Sequence, residues 1–81
     1  SDVSEELSRL AVHVKELCSL LGAAGPSGRK LDFLLQEMAR EANTVGSKSQ
    51  DAGIAHAVVE LKAEIERWAK VVKDNKIRAG D

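Results

Sequence analysis

The chain has 81 residues, which leaves room for one domain with one modest core. Its composition is 43% hydrophobic and 31% charged, with one Phe, one Trp and no Tyr, which favours aliphatic helices and argues against a β-sandwich. Twelve basic and thirteen acidic residues give a formal net charge of −1, so no global positive field attracts nucleic acid or a membrane. Binding to a polyanion therefore requires a local cluster of cations, or several copies acting together.

Three features of the sequence bear on compartment and domain organisation. Cys18 is the only cysteine, which excludes an internal disulfide and a multi-cysteine metal site and fits a reducing, cytoplasmic setting. No apolar run approaches the roughly 20 residues of a membrane span, and no signal peptide is evident. The chain starts at Ser1 and its helical pattern begins almost at once. We therefore expect residues 1–81 to form a single cytoplasmic, non-membrane domain cut from a longer protein.

The first predicted helix covers about residues 3–21. Its apolar residues alternate spacings of four and three, which places them on one stripe: Val3, Leu7, Leu10, Val14, Leu17 and Leu21. Gly22 and Pro26 end this pattern, because glycine suits a helix C-cap and proline cannot continue the hydrogen-bond ladder. Cys18, at the edge of the stripe, is interpreted as a small core residue.

Two further helices are predicted, at about residues 28–45 and 51–76, with Gly46 opening the turn between them. The stripe of the second helix, widened by Leu34, consists of Leu31, Leu35, Met38, Ala42 and Val45. The stripe of the third consists of Ile54, Val58, Leu61, Ile65, Trp68 and Val72. Narrow stripes and short connections predict an all-α fold, an antiparallel hairpin or bundle that oligomerises to bury the remaining apolar surface.

The polar face of the second helix carries an unusual strip opposite the leucines. At 100° per residue the strip consists of Arg29, Phe33, Gln36, Arg40 and Asn43. A phenylalanine among arginines and amides suits a surface that stacks on bases and contacts phosphates. It suits a protein interface equally well, because aromatic residues and arginine are enriched there.

Glu37 and Glu41 lie one helical turn apart beside this strip. One interpretation is a pair of carboxylates for a divalent metal, with Asp32 and Asn43 further round the helix. The other is that each glutamate is a solvated charge with a cation nearby, for which Lys30, Arg40, Lys48 or a neighbouring helix are candidates.

His13 lies with Glu6 and Arg9 on one edge of the first helix. If that edge faces Glu37 and Glu41, the imidazole is a candidate metal ligand or general base. Otherwise it is a histidine packed at the rim of a bundle.

The second helix also carries a specific sequence pattern. The segment GRKLDFLLQEMAREANTVGSKS, from Gly28 to Ser49, resembles the C-terminal domain of the bacterial YicC family. The flanks agree, with DVSEELSRL at residues 2–10, His13, and AHAVVELKAEIE at residues 55–66. The resemblance therefore covers about residues 2–66. It departs from the family at Ala39, where an asparagine is usual.

This resemblance implies a bacterial, cytoplasmic endoribonuclease that cleaves RNA with a divalent metal, Mg²⁺ or Mn²⁺, and works as a homo-oligomer. It also implies that the chain is the C-terminal domain of a longer protein whose larger N-terminal region is absent here. Our leading hypothesis assigns catalysis to His13, Glu37 and Glu41, and metal binding to Glu37, Glu41 and Asp32. It assigns RNA binding to Arg29, Lys30, Phe33, Gln36, Arg40, Asn43 and Lys48. We expect the 81 residues alone to show little nuclease activity. The alternative is a helical oligomerisation or protein-interaction module without catalytic activity.

Overall fold

The structure, a computed structural model, describes residues 2–22 and 28–75. Within these ranges the chain forms three helices, α1 (Ser4–Leu21), α2 (Gly28–Lys48) and α3 (Ala52–Asn75), and no strand. This confirms the predicted all-α fold. The predicted turn at residues 23–27 and the predicted end of the third helix at Lys76 lie outside the described residues.

Acidic side chains mark the starts of α1 and α3. The carboxylate of Asp2 accepts a hydrogen bond from the backbone N–H of Ser4 at 2.9 Å. The carboxylate of Asp51 accepts one from the N–H of Ile54 at 3.0 Å, as an N-cap residue does. These two helices each begin one residue after the start that the sequence predicted.

The C-terminal end of α2 differs from the prediction, because the helix continues through Gly46 to Lys48 instead of ending at Val45. The backbone N–H of Ser49 still donates to the carbonyl of Val45 at 3.0 Å, so the ladder is unbroken. A Cβ added at Gly46 would lie 3.2 Å from Cγ1 of Val58. This glycine therefore serves the close approach of α3 and does not terminate the helix.

The central helix, α2, packs against both neighbours, whereas α1 and α3 do not pack against each other within the described residues. Ion pairs across the first interface show that α1 and α2 are antiparallel. Lys30 at the start of α2 pairs with Glu16, and Lys48 at its end pairs with Glu6. The arrangement is thus an open antiparallel array, 43 × 21 × 16 Å, rather than a closed three-helix bundle.

Burial follows from this central position of α2. Its predicted stripe is buried throughout, with Leu31 fully enclosed, and Leu34 widens it as expected. The stripes on α1 and α3 are only partly buried: Leu17, Ile65 and Val72 are buried, whereas Leu7 and Trp68 are 49% and 44% exposed. α1 and α3 each pack on α2 but not on each other, so part of each of their stripes remains uncovered, unlike the stripe of α2. Cys18 is exposed, so its assignment to the core was wrong.

An apolar groove runs between α1 and α3, with α2 as its floor. It is lined by Val3, Leu7, Leu10, Ala42, Val45, Ile54, Ala57, Val58 and Leu61. No described helix combines the length and the apolar character that crossing a membrane requires.

Candidate metal centre and nucleic-acid face

Three potential metal ligands from two helices meet at the interface between α1 and α2. One ligand atom each from His13, Glu37 and Glu41 lies within 4.8 Å of the other two. Glu37 and Glu41 are one turn apart and so share a face of α2. The antiparallel packing of α1 brings His13 opposite that face, which is the arrangement on which the sequence-based metal hypothesis depended.

The chemistry and burial of this His13–Glu37–Glu41 group fit a divalent cation. Glu41 has a side chain only 6% exposed, and Glu37 one that is 23% exposed. Nδ1 of His13 is buried and has no hydrogen-bond partner among the described residues, although a buried ring nitrogen normally has one. One imidazole nitrogen and two carboxylates suit Mn²⁺ better than Mg²⁺, because Mg²⁺ prefers oxygen ligands alone.

Each of the two carboxylates also has an arginine beside it. Nε of Arg9 donates to Oε2 of Glu41 at 3.2 Å, and the guanidinium of Arg40 lies 3.8 Å from Oε2 of Glu37. Hydrogen bonds to Glu5 and to Glu41 raise the pKa of Arg9, which remains charged. The carboxylates are thus partly neutralised within the domain.

The other two cations proposed as partners of these glutamates lie elsewhere. Nζ of Lys30 pairs with Oε2 of Glu16 at 3.7 Å, and Nζ of Lys48 donates to Oε2 of Glu6 at 2.8 Å. The hydrogen bond from Lys48 is the main reason that the pKa of Glu6 lies below its ordinary value. Glu6 is itself buried, and its Oε1 has no partner among the described residues.

Asp32 is not brought into the His13–Glu37–Glu41 group. It is exposed on α2, where its Oδ2 accepts a hydrogen bond from the amide of Gln36 at 2.8 Å. Sequence reasoning, in turn, gave no role to Arg9 or Glu6. The sequence feature that could have identified both residues is the edge of α1 that they share with His13. This edge faces α2 in the structure.

The predicted strip on the polar face of α2 is solvent-exposed along its length: Arg29, Phe33, Gln36, Arg40 and Asn43. Phe33 is 56% exposed, which is unusual for a lone aromatic on a helix. Ala39, the departure from the family pattern, is partly buried against the core rather than on this face. This position is therefore not part of the exposed strip.

Comparison with known proteins gives a consistent picture. The family described as "Endoribonuclease YicC-like, C-terminal" matches residues 1–75. A protein of Haemophilus influenzae named "Probable endoribonuclease YicC" is 49% identical over 73 residues, covering 90% of this chain and 25% of that protein. One of the same name from Clostridioides difficile strain 630 is 46% identical over 74 residues, covering 91% of this chain and 25% of that protein. The chain thus spans about a quarter of the length of these relatives, and no solved structure matches it significantly.

Proposed function

Because the chain belongs to the endoribonuclease YicC-like C-terminal family, we propose that it supplies a metal site and an RNA-binding helix face to a metal-dependent endoribonuclease. The observation that carries this proposal is the meeting of His13, Glu37 and Glu41. An RNA substrate places the proposed activity in the cytoplasm. The remaining, N-terminal part of such an enzyme would be the partner that completes the active site.

In this proposal His13, Glu37 and Glu41 hold one divalent cation, with Mn²⁺ preferred for its tolerance of an imidazole ligand. The bound cation would activate a water and stabilise negative charge on the scissile phosphate. Arg40, next to Glu37, would direct a phosphate towards the site. Asp32 lies outside the group and is not one of the proposed ligands.

The exposed strip on α2 is the proposed RNA-binding face. Arg29 and Arg40 contact phosphates, Gln36 and Asn43 hydrogen-bond to the nucleotide, and Phe33 stacks on a base. Lys30 and Lys48 lie near the two ends of α2, where they add positive charge beside the strip. Single-stranded RNA fits this surface best, because its unstacked bases are accessible to an aromatic side chain.

The double substitution Glu37→Ala with Glu41→Ala tests the metal site in a longer protein that contains this domain. We expect metal-dependent RNA cleavage to be lost, with helicity and assembly unchanged. The matched control is Glu60→Ala with Glu64→Ala, which removes two exposed carboxylates at the same spacing on α3. Unchanged cleavage in the Glu37 and Glu41 variant, measured with a labelled RNA, would exclude the site.

A second candidate function, a helical oligomerisation or interaction module, is favoured by the half-exposed apolar residues. Leu7, Val14 and Leu21 recur every seven residues on α1, and Ile54 and Trp68 flank Leu61 at the same interval on α3. Such rows are typical of helices that pack against a further helix. Homo-oligomerisation through them is compatible with the nuclease proposal. Self-association that persists at high salt, in a chain without affinity for RNA, would favour the second candidate alone.

A further inference from the structure

Arg9 bridges the two buried carboxylates of the α1–α2 interface. Its Nε donates to Oε2 of Glu41 at 3.2 Å, and its Nη2 lies 3.7 Å from Oε2 of Glu6. On the solvent side its Nη1 pairs with Oε1 of Glu5 at 3.2 Å. One guanidinium therefore connects an exposed carboxylate, a buried carboxylate and a member of the His13–Glu37–Glu41 group.

Lys48, the last residue of α2, also contacts this bridge. Oε2 of Glu6, which faces Arg9, also accepts a hydrogen bond from Nζ of Lys48 at 2.8 Å. The side chains of Glu6 and Glu41 are only 7% and 6% exposed, so their charges depend on neighbouring cations. The four side chains form a row of alternating charge from Lys48 through Glu6 and Arg9 to Glu41.

We propose that Arg9 is a positioning residue for the metal site: it fixes the Glu41 carboxylate through one oxygen, while Glu6 and Lys48 fix Arg9. This inference rests on the proposed function, because it requires that Glu41 is a ligand. A carboxylate held through one oxygen still offers the other to a cation. Hydrogen-bond partners of this kind orient metal ligands, and their loss typically weakens metal binding by about 10–100-fold.

Two effects of Arg9 on a cation oppose each other. Its positive charge repels the metal, so removing only the charge would tighten binding. Its planar, forked guanidinium holds Glu41 and Glu6 at once, a geometry that the single ammonium of a lysine does not reproduce. The effect of geometry is the larger of the two, because Arg9 is about half exposed and water screens its charge.

Mn²⁺ binding by the full chain, followed by electron paramagnetic resonance, separates these effects. We expect Arg9→Lys and Arg9→Met each to weaken Mn²⁺ binding by about 10-fold or more. The spectrum of the bound ion should also change, because it reports ligand geometry. Glu5→Gln is the matched control: it removes the partner of Arg9 that is 84% exposed, and should bind Mn²⁺ like the wild type.

Each outcome has a definite meaning. Wild-type-like binding by Arg9→Lys, or tighter binding by Arg9→Met, overturns the positioning role and leaves the metal site standing. Absence of Mn²⁺ binding in the wild type overturns the metal site itself, and this inference with it. Circular dichroism verifies that each variant is folded, and Arg9→Lys, which keeps the charge, carries the comparison where Arg9→Met does not fold.

Discussion

Glu6 is the buried carboxylate whose environment most clearly favours its charged form. Its hydrogen bond from Lys48 and the nearby charge of Arg9 lower its pKa below the ordinary value of 4.5. A depressed pKa means that around pH 4 the unfolded chain binds a proton that the folded chain does not. Ionised Glu6 therefore stabilises the fold above its unfolded-state pKa, and this contribution is lost as the pH falls through its folded-state pKa.

Glu6→Gln tests this linkage. We expect the variant to be less stable than the wild type near neutral pH, with the difference shrinking below about pH 4.5. Unfolding by urea, followed by circular dichroism between pH 3 and 7, measures it. The control Glu60→Gln alters an exposed pair on α3 and should change stability little at any pH. A difference for Glu6→Gln that is constant or grows towards low pH would contradict the assignment.

The sequence predicted least well which individual side chains pair with each other across the α1–α2 interface. The sequence placed His13 on the edge that it occupies and made the metal group conditional on that edge facing Glu37 and Glu41. It allowed for a cation from a neighbouring helix beside Glu41 but did not identify that cation as Arg9. Partners across an interface depend on the axial rotation of α1, which the spacing of apolar residues fixes only coarsely.

The element that the sequence described best is α2. Its strict four-three pattern predicted both the buried stripe and the opposite exposed strip, because a central helix buries its whole apolar side. The same pattern on α1 and α3 located their apolar sides but did not show which residues of each stripe the fold covers. Periodicity identifies the apolar side of a helix, whereas the number of neighbours that cover it is a tertiary property. The prediction that α2 ends before Gly46 was wrong for a related reason. This glycine permits the close approach of Val58 on α3, which is also a tertiary property.

The exposed strip on α2 leads to a separate prediction about the strength and salt dependence of RNA binding. If Arg29 and Arg40 contact phosphates as proposed, Arg29→Ala with Arg40→Ala should weaken binding to single-stranded RNA. The variant should also flatten the salt dependence of binding, by about 0.7 in log–log slope per lost contact. The control, Arg67→Ala with Lys70→Ala, removes two cations paired within α3. Fluorescence anisotropy over a range of salt concentrations provides the slopes. Equal slopes for the two variants would show that the strip does not contact RNA phosphates.

Across the molecule, the candidate site and the apolar groove lie on opposite edges of α1. Arg9 and His13 lie to one side of the buried Leu17, and Leu7 and Val14 lie to the other. A partner helix in the groove would therefore leave the candidate site open. The two candidate functions are therefore compatible, since assembly and metal binding would use different surfaces of the same array.

The proposal that side chains from α1 and α2 bind one metal ion can be tested directly through the nitrogen of His13. Pulsed electron paramagnetic resonance of Mn²⁺ bound to the chain detects coupling to a ligating imidazole nitrogen. We predict this coupling in the wild type and in His56→Ala, which alters an exposed histidine on α3, and its loss in His13→Ala. Bound Mn²⁺ without nitrogen coupling, or coupling that survives His13→Ala, would show that His13 is not a ligand of the ion.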